Sequence, residues 1–375
     1  MPPRTVKNIE RLFKKILNLP FILFLKKGNP ARVPLNPDNV RSVLILRPDK
    51  LGDMIATIPV IHALKKMFPH LRIEILASPR NVSVIKNDPC VDRIHLYSKN
   101  IFRDWPVMMQ LRKKRFDVIY DPICHDSITG LLLTKIIGNH SVKAASRKLK
   151  LREYYDYCEP YLVDGDDHNI DNGLLIFNAL GVRSESVDPF HTVHIPDESR
   201  TVAERFYQSL SSGGRFRVGL NISAGSSTRT LSVDKYINIA NAINTGHPEF
   251  EFVIISVMDQ RKEAERLVSG IRAKGHLVPE NLSLLDISAI VSGLHLLISP
   301  DTSLVHIARL MRIPVVGLYS GHKRNFRFWR PYRQKHGAVV AKSIYDIHDI
   351  EPSQVVEEFE LLLTGMTPKD SSVVD

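Results

Sequence analysis

The chain has 375 residues, 43% of them hydrophobic and 24% charged, and a formal net charge of +11. This length exceeds what one hydrophobic core usually organises, so we expect two domains in a large soluble protein. The three cysteines, Cys90, Cys124 and Cys158, cannot all be paired and form no C-x-x-C motif, which favours a reducing compartment.

The basic excess is concentrated in an N-terminal arm. Residues 1–32 carry eight Lys or Arg and one Glu, a net +7, which leaves +4 for the rest of the chain. Apolar residues recur there at helical spacing, at Val6, Ile9, Phe13, Ile16 and Leu17, and the apolar run Phe21 to Leu25 follows. An apolar stretch of about ten residues is too short to span a bilayer. It is also not followed by the small-residue cleavage site of a secretory signal peptide. We predict that residues 1–39 form a basic amphipathic arm on an anionic membrane surface, with docking on the protein's own core as the alternative.

Strand and helix signals alternate from residue 40 onward, as a doubly wound α/β fold requires. For a first domain, residues 40–190, the predicted strands are Ser42 to Arg47, Arg72 to Ala77, Arg93 to Tyr97 and Val118 to Asp121. The predicted helices are Met54 to Met67, Trp105 to Lys114 and Asp171 to Leu180. The pattern is weak from Lys143 to Asp167, and the proline-containing acidic stretch Arg183 to Ser199 is typical of an interdomain linker.

The alternation restarts in a second domain, residues 191–345. The predicted strands are Phe216 to Asn221, Phe252 to Val257, Leu296 to Ser299 and Val315 to Tyr319. The predicted helices are Val233 to Asn244, Asp259 to Ala273 and Ser303 to Met311, and residues 346–375 add the helix Gln354 to Leu363 and a tail. Two such domains in tandem place the carboxyl ends of both sheets on a central cleft, where ligands bind.

The motif Arg47-Pro-Asp-Lys-Leu-Gly-Asp53 lies between the first predicted strand and the first predicted helix. Its functional interpretation makes Asp53 a general base at the cleft mouth, with Arg47 and Lys50 contacting an anionic substrate. The alternative is that Asp53 only caps a helix. The residues alone leave these two interpretations equal.

Two strand ends of the second domain suit a diphosphate. The loop Ser223 to Arg229 is rich in hydroxyls, although composition alone favours a plain surface loop. In Ser299 to His306, Asp301 or Thr302 can cap a helix whose free N–H groups face an anion, with His306 one turn further on. Asp301 could equally be only a cap, and His306 only a core histidine. Two such strand ends together favour a nucleotide diphosphate.

Several other kinds of chemistry lack support in the sequence. P-loop, zincin and α/β-hydrolase motifs are absent. Asp164-Gly-Asp166 is better interpreted as a polar loop than as a metal site. The fifteen histidines are scattered, so we predict no metal site. The basic charge lies in one arm without interleaved aromatics, which argues against nucleic acid as a partner.

The run VLILRPDKLGDMIATIPVIHALKKMFPHLRIEILAS resembles the opening of the glycosyltransferase family 9 proteins, the lipopolysaccharide heptosyltransferases. The phrase SPDTSLVHIARLMRIPVVGLYSG resembles their nucleotide-sugar motif, and Phe328-Trp-Arg-Pro331 resembles the element that follows. The resemblance extends over residues 40–335. It implies a GT-B fold, in which two Rossmann-like doubly wound domains face a central cleft.

The resemblance also implies an activity: inverting transfer of a heptose from ADP-heptose to the lipopolysaccharide inner core, without a metal or another cofactor. The implied partners are the nucleotide-sugar donor, an anionic glycolipid acceptor and the membrane surface. The implied location is cytoplasmic, peripheral on the inner face of the inner membrane. Carried over, Asp53 is the base and Arg47 and Lys50 bind the acceptor.

The donor-binding residues implied in the same way are Ser226, Ser227, Arg229, Asp259, Glu263, Asp301, Thr302, Ser303 and His306, with Asp259 or Glu263 on the ribose. Two positions depart from the family pattern. Arg229-Thr-Leu-Ser232 stands where the family commonly has Lys followed by Trp-Pro, and Ser303 stands where Gly is frequent. Two alternatives stay open. One is transfer of another nucleotide-activated sugar in surface-glycan synthesis, and the other is a non-catalytic membrane-associated nucleotide-sugar binder, which would not depend on Asp53.

Overall fold

The computed structural model describes residues 25–162, 165, 167–190, 192–210 and 215–366, except for the side chains of Ile101 and Phe102. Most of the predicted N-terminal arm, the residues Asp164 and Asp166, and the C-terminal tail from residue 367 lie outside the described residues. Among the described residues, no helix combines the length and apolar character that a bilayer span requires.

Six parallel strands form the sheet of the first domain, in the order β3-β2-β1-β4-β5-β6. They are β1 (Ser42–Arg47), β2 (Arg72–Ala77), β3 (Arg93–Leu96), β4 (Val118–Asp121), β5 (Val142–Lys148) and β6 (Tyr157–Pro160). The helices are α1 (Leu51–Ile55), α2 (Ile58–Met67), α3 (Ile101–Lys113), α4 (Ile128–Ile137), α5 (Asn169–Leu174) and α6 (Ile176–Ala179). All of β1 is buried, as expected for a central parallel strand with both faces covered.

The second domain repeats this topology, in the order β12-β11-β10-β7-β8-β9. Its strands are β7 (Arg217–Asn221), β8 (Glu251–Ile255), β9 (Lys274–Leu277), β10 (Leu296–Pro300), β11 (Val315–Tyr319) and β12 (His336–Val340). Its helices are α7 (Asp197–Ser209), α8 (Val233–Gly246), α9 (Arg261–Gly270), α10 (Leu284–Ser292), α11 (Ser303–Leu310), α12 (Lys323–Trp329) and α13 (Pro352–Thr364). Both sheets have the strand order of a Rossmann fold, which confirms the predicted doubly wound α/β architecture.

Two segments predicted as irregular contain regular structure. Strands β5 and β6 lie in the weak stretch Lys143 to Asp167, where small and basic residues give little hydrophobic signal. Helix α7 begins at Asp197, inside the predicted linker, with Pro196 as its N-cap and acidic residues in its first turn. Acidic residues stabilise a helix N-terminus, so the acidic content that suggested a linker belongs to a helix start.

The predicted helix Met54 to Met67 is two helices in the structure. Helix α1 ends at Ile55, and α2 begins at Ile58 with Pro59 in its first turn. Proline has no N–H and is therefore tolerated at a helix start but not in a helix interior. The break turns α1 into a short separate helix at the carboxyl end of β1.

Helix α1 packs against α11 of the second domain. Gly52 lies at this contact: a methyl group added there would be 3.7 Å from Cδ2 of His306 and 4.0 Å from Cζ3 of Trp329. These are ordinary van der Waals distances, so the two helices meet here at normal packing separation. The carboxyl ends of β1 and β10 consequently open onto one cleft.

Further contacts tie the domains together near His306. The His168 ring, at the N-terminus of α5, lies with its Nε2 2.9 Å from the carbonyl oxygen of Arg330. The Tyr332 hydroxyl donates to the Asp171 carboxylate. Arg309 of α11 is buried, and its Nη2 donates to the carbonyl oxygen of Pro189 at 3.4 Å. These contacts connect α5 and the interdomain segment to the second domain.

A fully buried ion pair supports the loop after β4. Lys148 and Asp121 are both inaccessible to solvent, and Lys148 Nζ lies 2.9 Å from Asp121 Oδ2. The same ammonium donates to the carbonyl oxygens of Ile123 at 2.5 Å and His125 at 3.2 Å. The Tyr155 hydroxyl donates to Asp121 Oδ2 at 2.7 Å. This network positions residues 122–125 at the edge of the cleft.

We predict that Lys148→Met lowers the free energy of unfolding by about 3–5 kcal/mol, because it leaves a buried carboxylate without its counter-ion. Denaturant-induced unfolding measures the change. The matched control is Lys150→Met, which removes an exposed lysine two residues away and is expected to change stability by ~0.5 kcal/mol or less. A Lys148→Met protein as stable as the control would show that Asp121 does not need this ion pair.

Candidate active site

A buried guanidinium underlies the loop after β1. Arg47 is 1% exposed, and its Nε donates to Thr57 Oγ1 at 2.7 Å. Its Nη1 donates to Asp49 Oδ2 at 3.0 Å and lies 3.9 Å from Asp53 Oδ1. Arg47 therefore holds two carboxylates in place from below, because a guanidinium presents several donors in a fixed plane.

Asp49 and Asp53 differ in their surroundings. Burial raises the pKa of Asp49 to about 6, the neighbouring Asp53 charge adds to this effect, and the Arg47 charge opposes it. Oδ1 of Asp49 is buried without a hydrogen-bond partner among the described residues. The Asp53 side chain is 18% exposed, and the Asp53 carbonyl oxygen accepts from the Thr57 hydroxyl at 2.8 Å. Asp53 is thus anchored through its backbone while its carboxylate opens onto the cleft.

In the second domain, the loop after β7 holds a cation beside β10. Arg229 Nη1 donates to the carbonyl oxygen of Asp301 at 3.0 Å. A Cβ atom at Gly225 would lie 3.4 Å from Arg229 Nη2, so glycine leaves room for the guanidinium. The Ser226 side chain accepts from the Thr228 backbone N–H at 3.4 Å and caps a short turn. The loop thereby presents Gly225, Thr228 and Arg229 to the cleft.

The N-terminus of α11 lies beside this loop. Thr302 is the N-cap, and its hydroxyl accepts from the Leu304 backbone N–H at 3.3 Å. Asn221, at the end of β7, donates to Thr302 Oγ1 at 3.2 Å and to Ser299 Oγ at 2.9 Å, so it joins β7 to β10. The remaining free N–H groups of the first turn, with the helix dipole, form a site suited to a phosphate.

The two titratable groups of the Ser299 to His306 motif have shifted pKa values. Burial raises the pKa of Asp301, against the Asn325 hydrogen bond at 2.7 Å and the charges of Arg229 and Lys50. Burial lowers the pKa of His306 to about 4, and the Arg309 charge adds to the effect. His306 is therefore neutral near pH 7, with its ring 5.1 Å from the ring of Trp329.

These strand ends surround a cavity of about 1040 Å³ between the two domains. Seven of the predicted site residues line it: Lys50, Asp53, Arg229, Asp301, Thr302, Ser303 and His306. They come from both domains, as expected for a cleft between two sheets that face each other through their carboxyl ends.

Five predicted site residues lie elsewhere. Arg47 lies below the cavity. It contacts Asp49 and Asp53 there, whereas the sequence predicted direct contact with an acceptor. Ser226 and Ser227 belong to the loop but are not on the lining, where Gly225 and Thr228 take their place. Asp259 and Glu263 follow β8, which β7 separates from β10, and neither lines the cavity.

The structure adds lining residues that sequence reasoning missed. From the first domain these are Lys99, Ile123, Cys124, His125 and Asn169, and from the second domain they include Arg324, Phe328, Trp329, Ile344 and Tyr345. His125 follows β4, the neighbour of β1, so the strand-end rule that singled out Asp53 could have indicated it. Tyr345 is held beside the loop Ser223 to Arg229, because the backbone N–H of Ile347 donates to the Thr228 carbonyl oxygen at 3.1 Å.

One group of potential metal ligands lies away from the lining. His62, Asp88 and Cys90 bring three ligand atoms within 4.8 Å of one another in the described part of the chain. His62 Nε2 and Asp88 Oδ2 are 2.8 Å apart, so a His–Asp pair accounts for most of this arrangement. The sequence does not indicate this group, because His62 lies on α2, 26 residues before the segment that holds both Asp88 and Cys90.

Comparison with known proteins gives the family. The family model described as glycosyltransferase family 9 (heptosyltransferase) matches residues 105–358, which contain the Ser299 to His306 motif. The chain is 23% identical over 303 residues to the lipopolysaccharide core heptosyltransferase OpsX of Haemophilus influenzae, with 77% of this chain and 82% of that protein covered. It is 22% identical to the lipopolysaccharide heptosyltransferase 3 of Escherichia coli, with 75% and 83% covered.

Solved structures agree with the fold. A glycosyltransferase family 9 protein from Veillonella parvula superposes with a TM-score of 0.73 at 19% identity, covering 89% of this chain and 99% of that chain. The ADP-heptose heptosyltransferase II of Escherichia coli superposes with a TM-score of 0.64 at 15% identity, covering 86% and 99%. With the family model matching more than half of its length, this chain belongs to glycosyltransferase family 9 and is a glycosyltransferase with the GT-B fold.

Proposed function

We propose that this enzyme transfers a heptose from ADP-heptose to the lipopolysaccharide inner core, with inversion at the anomeric carbon and without a metal ion. The observation that carries the proposal is the placement of Asp53 and the N-terminus of α11 on opposite domains of one cavity. The names of the relatives, which are lipopolysaccharide heptosyltransferases, support the choice of sugar and acceptor.

The second domain is suited to the donor. The first turn of α11 offers N–H donors, and Arg229 lies against the Asp301 carbonyl beside them. Developing negative charge on a departing nucleotide is stabilised by preorganised donors of this kind. Lys50, whose charge acts on Asp301 from the first domain, adds a further cation at the same place. These groups supply the positive charge for which other transferases use a metal.

The first domain is suited to the acceptor. An acceptor hydroxyl attacks the anomeric carbon as the bond from that carbon to the phosphate oxygen breaks. Its proton passes to the Asp53 carboxylate, and the electron pair leaves with ADP. Attack opposite to the leaving group inverts the configuration. Arg47 has a positioning role in this scheme, because it contacts both carboxylates and not the cavity.

We also propose that the enzyme works as a peripheral protein on the inner face of the inner membrane. The basic and apolar sequence of the N-terminal arm suits an anionic lipid surface, and a lipid-linked acceptor must be met there.

We predict that Asp53→Ala abolishes transfer while ADP binding changes little, because the base acts on the acceptor and the nucleotide lies on the second domain. Transfer from ADP-heptose and thermal stabilisation by ADP are the two measurements. The control is Asp197→Ala, which removes a fully exposed carboxylate on α7. Transfer that survives in Asp53→Ala would contradict the mechanism.

We predict that ADP raises the melting temperature more than UDP, GDP or CMP do. A ligand at 100 times its Kd stabilises the folded state by about 2.7 kcal/mol, provided that it binds only that state. Stabilisation by UDP alone would contradict ADP-heptose as the donor while leaving the fold and the base unaffected.

We predict that kcat/KM falls below pH 6 as Asp49 gains a proton and Arg47 loses its nearest counter-charge, and that Asp49→Asn lacks this acid limb. The pH dependence of stability has the opposite sign to that of kcat/KM. A carboxyl group whose pKa is raised on folding destabilises the folded state as pH rises from its ordinary range towards 6. The melting temperature of the wild type relative to Asp49→Asn should therefore fall over that range. An unchanged acid limb in Asp49→Asn would assign it to another group.

A further inference from the structure

Arg324 crosses the boundary between the two domains. It lies on α12 of the second domain, and its guanidinium carbon lies over the Tyr161 ring of the first domain, 5.1 Å from the centroid. It also lies 5.4 Å from the centroid of Phe328 on its own helix. A guanidinium that stacks through its face keeps the N–H donors of its edge available.

The Arg324 edge has no protein partner in the part of the chain that the structure describes. No carboxylate lies within 4.0 Å of it there, and the residue is exposed. It lines the same cavity as Asp53, Lys99 and His125. An arginine that stacks on aromatic rings, is open to a substrate cavity and has no counter-ion among the described residues is suited to bind a carboxylate or a phosphate.

The Arg324 charge acts on two groups of the first domain that line the cavity, Cys124 and His125. Burial raises the pKa of Cys124 to about 11, with the charges of Lys148, Arg147 and Arg324 opposing the rise. Burial lowers the pKa of His125. The Arg324 charge adds to this effect, and the Asp53 charge opposes it. The cations that act on Asp301, beside the donor, are Arg229 and Lys50 instead.

We propose that Arg324, with the His125 loop and Tyr161, forms a subsite that binds an anionic group of the acceptor glycan, a carboxylate or a phosphate. The second domain thereby supplies a specificity-determining residue for the substrate that the first domain activates. This proposal rests on the proposed function for the nature of the acceptor.

Calorimetric binding of a deacylated lipopolysaccharide core oligosaccharide, at saturating ADP, tests the subsite. We expect Arg324→Gln to raise the Kd about tenfold, the usual scale for loss of a hydrogen bond to a charged group. The Kd of Arg324→Lys should lie between those of the wild type and Arg324→Gln, because lysine keeps the charge but lacks the planar donors. The matched control is Lys323→Gln, which removes the neighbouring exposed cation of α12 that does not line the cavity and should leave the Kd unchanged.

Two chemically altered oligosaccharides identify the anionic group. Phosphatase treatment should remove the difference between wild type and Arg324→Gln if the group is a phosphate, and reduction of the carboxyl groups should remove it if the group is a carboxylate. The proposal is overturned if both treatments leave the difference intact, if Arg324→Gln binds as the wild type does, if Arg324→Gln loses its thermal stabilisation by ADP, or if the wild type does not bind the oligosaccharide. A wild type that binds the oligosaccharide through Arg324 but transfers nothing from ADP-heptose would instead overturn the proposed donor.

Discussion

The close approach of α1 and α11 at Gly52 is the constraint on which the cleft depends. A Cβ atom at Gly52 would lie at ordinary van der Waals distance from His306, on α11, and from Trp329, at the end of α12. Helix α11 packs on β10 and β11, and α1 follows β1 in the chain, so their contact brings the ends of β1 and β10 towards each other. Asp53 and the first turn of α11 are brought to one cavity as a result.

Three arginines in or beneath the cavity have different surroundings. Arg47 is buried beneath the loop and contacts Asp49 and Asp53. Arg229 lies beside the α11 N-terminus, where a diphosphate would be. Arg324 lies on the far side of the domain boundary, over Tyr161.

Much of the fold and the centre of the site could be predicted from the sequence. β1, β4 and β10 are buried and mostly apolar; Asp301 and Thr302 follow β10 directly, and Asp53 lies in α1, the helix that follows β1. Other features depend on tertiary arrangement. The sequence of α12, KRNFRFW, alternates basic and aromatic residues without an apolar stripe, so neither the helix nor Arg324 was predicted. Asp259 and Glu263 follow β8, which β7 separates from β10, and they do not line the cavity, so their contact with the donor ribose stays a prediction.

The ties formed by His168, Asp171 and Arg309 lie close to His306 and Gly52. The hinge axis of any rotation of one domain against the other would therefore lie there. Atoms near a pivot move little, and atoms far from it move most. Asp53 neighbours Gly52, so its distance from the α11 N-terminus is the one that such a rotation disturbs least. Such a rotation would widen the far edge of the cavity more than the gap between Asp53 and the α11 N-terminus.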